Sequence, residues 1–279
     1  MSNALEIRQL TKHFTDFTLD HVDISLPRGA IMGLIGSNGA GKSTTIKLML
    51  GLMQADEGSV EILGCDDFGR NRALREHVGV VMDESSFPDN LTLSNIGHVM
   101  KNCYHTWDDA KFQSFAVRFG LPAGKPVKEF SRGMKMKLSI AVALSHDSHL
   151  LILDEATSGL DPIVRDEMLD VFLEFIQDEN HAILISSHII SDLEKICDYI
   201  CCIHQGRILL TAPKDELLES YVVAKGTAEE VQSIAGRVGL RKNAFGAETL
   251  ALREKVPQGI AVDPATLEEI MLFYVKGEC

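Results

Sequence analysis

The nine residues GSNGAGKST (36–44) constrain this chain more than any other stretch. They fit the spacing G-x-x-x-x-G-K-[ST]. The context is right as well, because the continuous apolar run AIMGLIG precedes them and the helix-patterned KSTTIKLMLGLM follows. Glycine in such a loop lets the backbone curl until successive N–H groups point inward at an anion. The helix that opens where the loop ends adds its positive terminus. Gly36, Ser37, Asn38, Gly39, Ala40, Gly41, Lys42, Ser43 and Thr44 are therefore expected to cradle a polyphosphate. Lys42 would bring a compact charge to the terminal phosphates, and the Ser43 hydroxyl would ligate Mg²⁺.

A second segment supplies what the cradle lacks. In LLILDEATSGLD, four apolar residues precede Asp154 and Glu155, as a buried strand needs in order to deliver carboxylates at its C-terminal edge. In an open α/β sheet that edge is where ligands bind. Asp154 is expected to hold Mg²⁺ through water, and Glu155 to face the γ-phosphate and orient or deprotonate the attacking water. An isolated Asp-Glu after a strand would read as a helix cap; beside a phosphate cradle the catalytic reading prevails. The run ILISSH ends another strand at the same edge and places His188 where it can contact the γ-phosphate and hold the water.

The remaining elements follow from periodicity and punctuation. LEIRQLTKHF and FTLDHVDISL alternate as strands, GSVEILG is a further strand, and residues 87–146 turn helical, with Pro122 and Pro126 separating two of the helices. Ser131 opens the last of these helices in EFSRGMKMKLSIAVAL, and Asp161-Pro162 announces another with an N-cap carboxylate and proline at its first position. DYICCIHQGRILLTA reads as a hairpin turning at Gln205-Gly206. Beyond Pro213 a short helix leads into a strand–helix–strand–helix appendage, whose last segment, DPATLEEIMLFYVKG, reads as an amphipathic helix covering its own small sheet.

Composition excludes several classes. A formal net charge of −13 argues against nucleic acid as the main partner, since a phosphate backbone asks for a basic surface. The six cysteines show no CxxC pair and read as free thiols in a reducing compartment. The opening MSNALEIRQL has no apolar core of a secretory signal, and no run approaches the ~18 apolar residues of a membrane span. If this chain serves a membrane, another chain must cross it.

Taken in order and spacing, GSNGAGKST, FSRGM, LLILDE, SGLD and SSH resemble the nucleotide-binding subunit of ATP-binding cassette (ABC) transporters, over about residues 4–215. The resemblance implies an α/β fold: a P-loop NTPase core of the ABC type (1–215) with an antiparallel β subdomain and a helical subdomain (about 87–146). A small α+β appendage (216–279) follows. It implies ATP and Mg²⁺ as cofactors, and a head-to-tail dimer, of like or related subunits, with two ATP molecules between them. A polytopic permease would hold that dimer at the cytoplasmic face of the membrane. Each site would take its cradle from one chain and a Ser-x-Gly from the other. Ser131 and Gly133 would then meet a γ-phosphate across the seam, and Asp161 would belong to the loop crossing it. Phe14 falls where an aromatic stacks on adenine, with Phe17 as its competitor.

Two departures stand out. The family signature is L-S-G-G-Q, whereas this chain has Phe130, Arg132 and Met134 where Leu, Gly and Gln would stand. Similar S-x-G-M variants resemble bacterial exporter-type subunits. Arg132 would either add charge near the nucleotide or point to solvent. In VGVVMDESSFPDNLTL, Asp83 occupies the place of a Gln that contacts Mg²⁺ and the attacking water. A carboxylate there can still ligate Mg²⁺ but adds charge near the γ-phosphate and cannot donate a hydrogen bond when ionised, so hydrolysis is expected to be retained but slowed. Contact with the permease is expected around 85–93. The competing reading is a soluble ABC ATPase acting on ribosomes or nucleic acid, against which stand the single cassette and the acidic charge.

Overall fold

The structure, a computed structural model, describes residues 3–83, 87–243 and 246–276. Its centre is a six-stranded sheet in the order β5-β6-β7-β3-β8-β9. These strands are β3 (Ile31–Ile35), β5 (Val78–Val81), β6 (Leu150–Asp154), β7 (Ala182–Ser187), β8 (Tyr199–His204) and β9 (Arg207–Pro213). The first five in that order run parallel; β9 returns antiparallel through Gln205 and Gly206, at φ 47° and 80°. Two positive φ values in succession make the tight hairpin turn whose twist matches that of the flanking strands.

Both faces of this sheet are covered, which is why its strands read as unbroken apolar runs. Leu151, Leu153, Ile183 and Ile185 face one buried cluster, together with Phe172 and the helical segments. Leu150, Ile152, Leu184 and Met32 face the other. That second face is closed by a three-stranded antiparallel sheet, β2-β1-β4, built from β1 (Asn3–His13), β2 (Thr18–Pro27) and β4 (Glu57–Ile62). Helix α1 (Lys42–Met49) lies on this side, contributing Ile46, Leu48 and Met49. The short α2 (Arg72–Arg75) precedes β5.

Helices α3 (Leu93–Cys103), α4 (Asp109–Arg118) and α5 (Arg132–Leu144) pack together on the other face. Thr92 and Asn95 form a capping box at α3, and the Ser131 hydroxyl accepts from the Met134 N–H at 3.2 Å to start α5. Asp161 caps α6 (Pro162–Phe175) by accepting from the N–H groups of Ile163 and Val164. Helix α7 (Ile190–Ile196) follows β7.

After α8 (Lys214–Ser220) the chain forms a four-stranded antiparallel sheet in the order β11-β12-β10-β13. Its strands are β10 (Tyr221–Gly226), β11 (Val238–Asn243), β12 (Gly246–Leu252) and β13 (Ala261–Pro264). Helices α9 (Ala228–Gln232) and α10 (Leu267–Lys276) pack on it. Two of the strands were not expected. β13 is exposed at every residue, so it carries no alternation to read, and β11 begins inside AEEVQSIAGRVG (228–239), which reads as one helix. Helix α9 starts on the Thr227–Glu230 capping box and ends at Gln232, where the Ser233 hydroxyl donates to the Glu230 carbonyl at 2.6 Å. Helix α10 covers more than its own sheet: Leu267, Ile270 and Phe273 share one buried cluster with Leu193 and Ile196 of α7.

Candidate functional site

Strand register brings the site together. Across β6, β7 and β3, Asp154 pairs with Ser186 and Ser186 with Leu34, so three strand ends finish level. The glycine-rich loop leaves β3 at this edge. Its close packing requires glycine at 36, where a Cβ would stand 2.4 Å from the Ile203 carbonyl oxygen of β8. Gly41 caps α1 at φ 118°, a left-handed conformation disfavoured for residues bearing a Cβ. Helix α1 has no side-chain cap, and the N–H groups of Lys42, Ser43 and Thr44 have no backbone acceptor among the described residues. They are open donors at the positive end of a helix.

Beneath the loop runs a charged array. The buried Lys42 ammonium donates to the Gly36 carbonyl at 2.7 Å and lies 3.1 Å from Glu155 Oε1. His188 Nδ1–H donates to Glu155 Oε2 at 2.7 Å, so the carboxylate is held from both sides. Glu155 sits at φ 53°, which costs a residue with a side chain on the order of 1–3 kcal/mol. Its N–H is fixed by both the carbonyl and the hydroxyl of Ser186, each at 3.1 Å. Asp154 is buried and accepts from the Ser186 hydroxyl at 2.6 Å.

An open cleft of about 710 Å³ joins these groups. Ser37, Asn38, Gly39, Gly41, Lys42, Ser43, Thr44, Asp83, Glu155 and His188 line it, as expected from the sequence. Gly36 and Ala40 lie beneath the loop instead; the Ala40 carbonyl accepts from the Gly206 N–H of the β8–β9 turn at 2.9 Å. Asp154 stands behind Glu155 rather than in the lining. Phe14 is exposed and outside the lining; Phe17, its ring 6.1 Å away, is the aromatic in the cleft. Ser131, Gly133 and Asp161 do not reach this chain's own cleft. Arg132 neither joins the lining nor points to solvent alone, since it pairs with Asp83 at 2.6 Å. Glu84 and the start of the expected 85–93 contact surface lie outside the described residues.

Sequence reasoning missed three contributors. Asp16 and Ser158 line the cleft, and Ser186 anchors both carboxylate residues. Ser186 lies inside ILISSH, but only strand register shows that it, and not Ser187, stands opposite Asp154.

The lining carries Asp16, Asp83 and Glu155 against Lys42, so its side chains alone do not balance the charge of a triphosphate. The donor set suits a divalent cation travelling with it, because Ser43 and Asp83 offer the hard oxygen ligands that Mg²⁺ prefers. Fold and site together define a P-loop nucleoside-triphosphate-binding protein. Comparison with known proteins narrows this. Residues 19–158 match the ABC transporter family. The bacitracin transport ATP-binding protein BcrA of Bacillus licheniformis is 36% identical over 226 residues, covering 78% of this chain and 72% of that protein. The lantibiotic transport ATP-binding protein SrtF of Streptococcus pyogenes is also 36% identical, over 76% of this chain and 91% of its own length. A solved structure of the ATP-binding subunit of an ABC transporter superposes with a TM-score of 0.70 at 29% identity, over 77% of this chain and 91% of that one. The chain belongs to the ABC transporter family and is an ATPase of that family.

Proposed function

We propose that this chain is the ATP-hydrolysing subunit of a membrane exporter and that it works as a head-to-tail pair closing on two ATP molecules. The observation that carries the reading is the Lys42–Glu155–His188 array beneath a loop whose helix-terminal N–H groups are open. The first-turn amides of α1 receive the phosphates. Lys42 exchanges Glu155 for the γ-phosphate, which frees the carboxylate to take a proton from water. His188 keeps Glu155 aimed during that exchange. Ser43 and Asp83 would hold Mg²⁺, with Asp154 reaching it through water, and the ion would supply charge neutralisation at the phosphates. Phe17, rather than Phe14, offers a ring to the base.

Ser131 and Gly133 serve the neighbouring chain's nucleotide, and Asp161 lies at the seam. The Ser131 hydroxyl accepts from Met134 and so keeps its own hydrogen for an anion. ATP favours the closed pair because its γ-phosphate touches both chains, whereas ADP leaves that contact unmade. None of the helices among the described residues is long and apolar enough to cross a membrane. Relatives named as transport ATP-binding proteins support a polytopic permease that holds the pair at the cytoplasmic face. Contact with it lies near Asp89 at the root of the helical subdomain. The domain division at 215/216 belongs to the same reading. Relatives named for bacitracin and lantibiotic transport favour cargo of that kind.

The test is Mg²⁺-dependent ATP hydrolysis by the purified chain, with and without permease-containing vesicles. Lys42→Ala and Glu155→Gln should each abolish turnover. Undiminished hydrolysis in either variant contradicts the assignment.

A further inference from the structure

Asp83 occupies an unusual place. It lines the nucleotide cleft, and it also lines a second cavity of about 420 Å³ under the start of α5; of the residues in the two linings, it alone is shared. Arg132, in the first turn of α5, donates to its Oδ1 at 2.6 Å. The guanidinium is held on another side as well. It packs over the backbone of Gly159, where an added Cβ would lie 3.2 Å from Arg132 Cζ and Nη1. One side chain on the signature helix thus meets two of the segments that border the cleft, the end of β5 at Asp83 and the turn after β6 beside Ser158. Lys135, which shares the small cavity, is drawn to Asp89 at 3.5 Å and is no substitute.

Both residues belong to the departures from the family pattern, one in the signature and one at the end of β5, and they are each other's partners. Charge explains why they would occur together. Before nucleotide enters, Lys42 pairs with Glu155 and Asp83 is left to Arg132; an Asp83 without that partner would oppose an incoming γ-phosphate. We infer that Arg132 is a positioning residue for Asp83: it neutralises and aims that carboxylate in its own chain's cleft, and so ties nucleotide affinity there to the helix that presents Ser131 and Gly133. This rests on the reading of the cleft as the ATP site. In the apposed pair, filling one cleft would thereby bias the signature offered to the other.

The experiment is a double-mutant cycle on the full chain. Equilibrium binding of a fluorescent ATP analogue with Mg²⁺ is measured for wild type, Arg132→Ala, Asp83→Asn and the double variant, at low and high salt. Both side chains are about half exposed, so the pair is a screened one. Arg132→Ala should weaken binding about two- to fivefold at low salt. That loss should fade at high salt, since exposed charges are screened there. In the Asp83→Asn background Arg132→Ala should have almost no effect, and Arg132→Lys should recover much of the affinity. Thermal melts confirm that each variant is folded. Equal losses in the two backgrounds, or a loss that salt leaves unchanged, overturns the pairing while the ATP site stands. Absence of binding in wild type would sink both readings.

Discussion

Two glycines of the phosphate loop separate close packing from conformational freedom. At Gly36, an added Cβ would lie 2.4 Å from the Ile203 carbonyl oxygen and 3.0 Å from both Ala40 Cβ and Ile203 Cγ2. An ordinary carbon–oxygen contact is about 3.3 Å, so the loop and strand β8 must part by roughly 0.9 Å. The carbonyl belongs to the backbone, and no rotamer relieves the clash. Overpacking of this kind costs about 1–3 kcal/mol. The same displacement moves the loop amides away from the phosphates, and misplacement near 1 Å can cost about 100-fold in rate. Gly39 presents the opposite case: φ is 79° and nothing lies within 4 Å of its Cβ position. Gly39→Ala should therefore lose about 1–2 kcal/mol of conformational energy without a clash. Melting temperature, MgATP affinity and kcat/KM measured on both variants decide the matter. Gly36→Ala should lose at least tenfold in kcat/KM and Gly39→Ala distinctly less. Equal losses, or a Gly36→Ala enzyme within twofold of wild type, would refute the packing argument.

Two further expectations rest on buried groups. Burial holds His146 neutral by lowering its pKa from the ordinary 6.5, and its Nδ1–H donates to the Glu76 carbonyl at 2.8 Å. The unfolded chain takes up that proton near 6.5 and the folded chain only at lower pH. Stability should therefore be full above this value and fall as the solution is acidified through it, with the slope reduced in His146→Phe; an unchanged slope in the variant contradicts the assignment. Burial also pushes the Cys201 thiol up to about 11 and Cys202 up to about 12, whereas Cys103 is exposed. A thiol reagent near ~pH 7.5 should modify Cys103 promptly and reach Cys197, Cys201 and Cys202 only on unfolding; rapid labelling of β8 in the native chain would contradict the burial.

Much of the cleft's lining was legible because a phosphate-binding reading fixes residue type and spacing at once. The loop from Gly36 to Thr44, Glu155 and His188 lie on three strand ends, and each end announces itself by an apolar run stopping at a polar residue. Contacts that depend on register or distant packing were not legible. Ser186 could not be told from Ser187, and nothing in the local sequence showed that Phe17 and not Phe14 lines the cleft. Arg132 and Asp83 lie 49 positions apart and meet only because α5 packs against β5. In the C-terminal segment the local signals are weak: β13 is exposed at every residue, and β11 opens within a stretch that reads as helix.

The central claim is that a nucleoside triphosphate joins two such chains and its hydrolysis releases them. Analytical ultracentrifugation of the Glu155→Gln variant with ATP and Mg²⁺ tests it most directly. The account predicts a stable two-chain species with nucleotide retained, and reversion to single chains when ADP replaces ATP. A variant that holds no nucleotide and stays a single chain, even beside its permease, would contradict it.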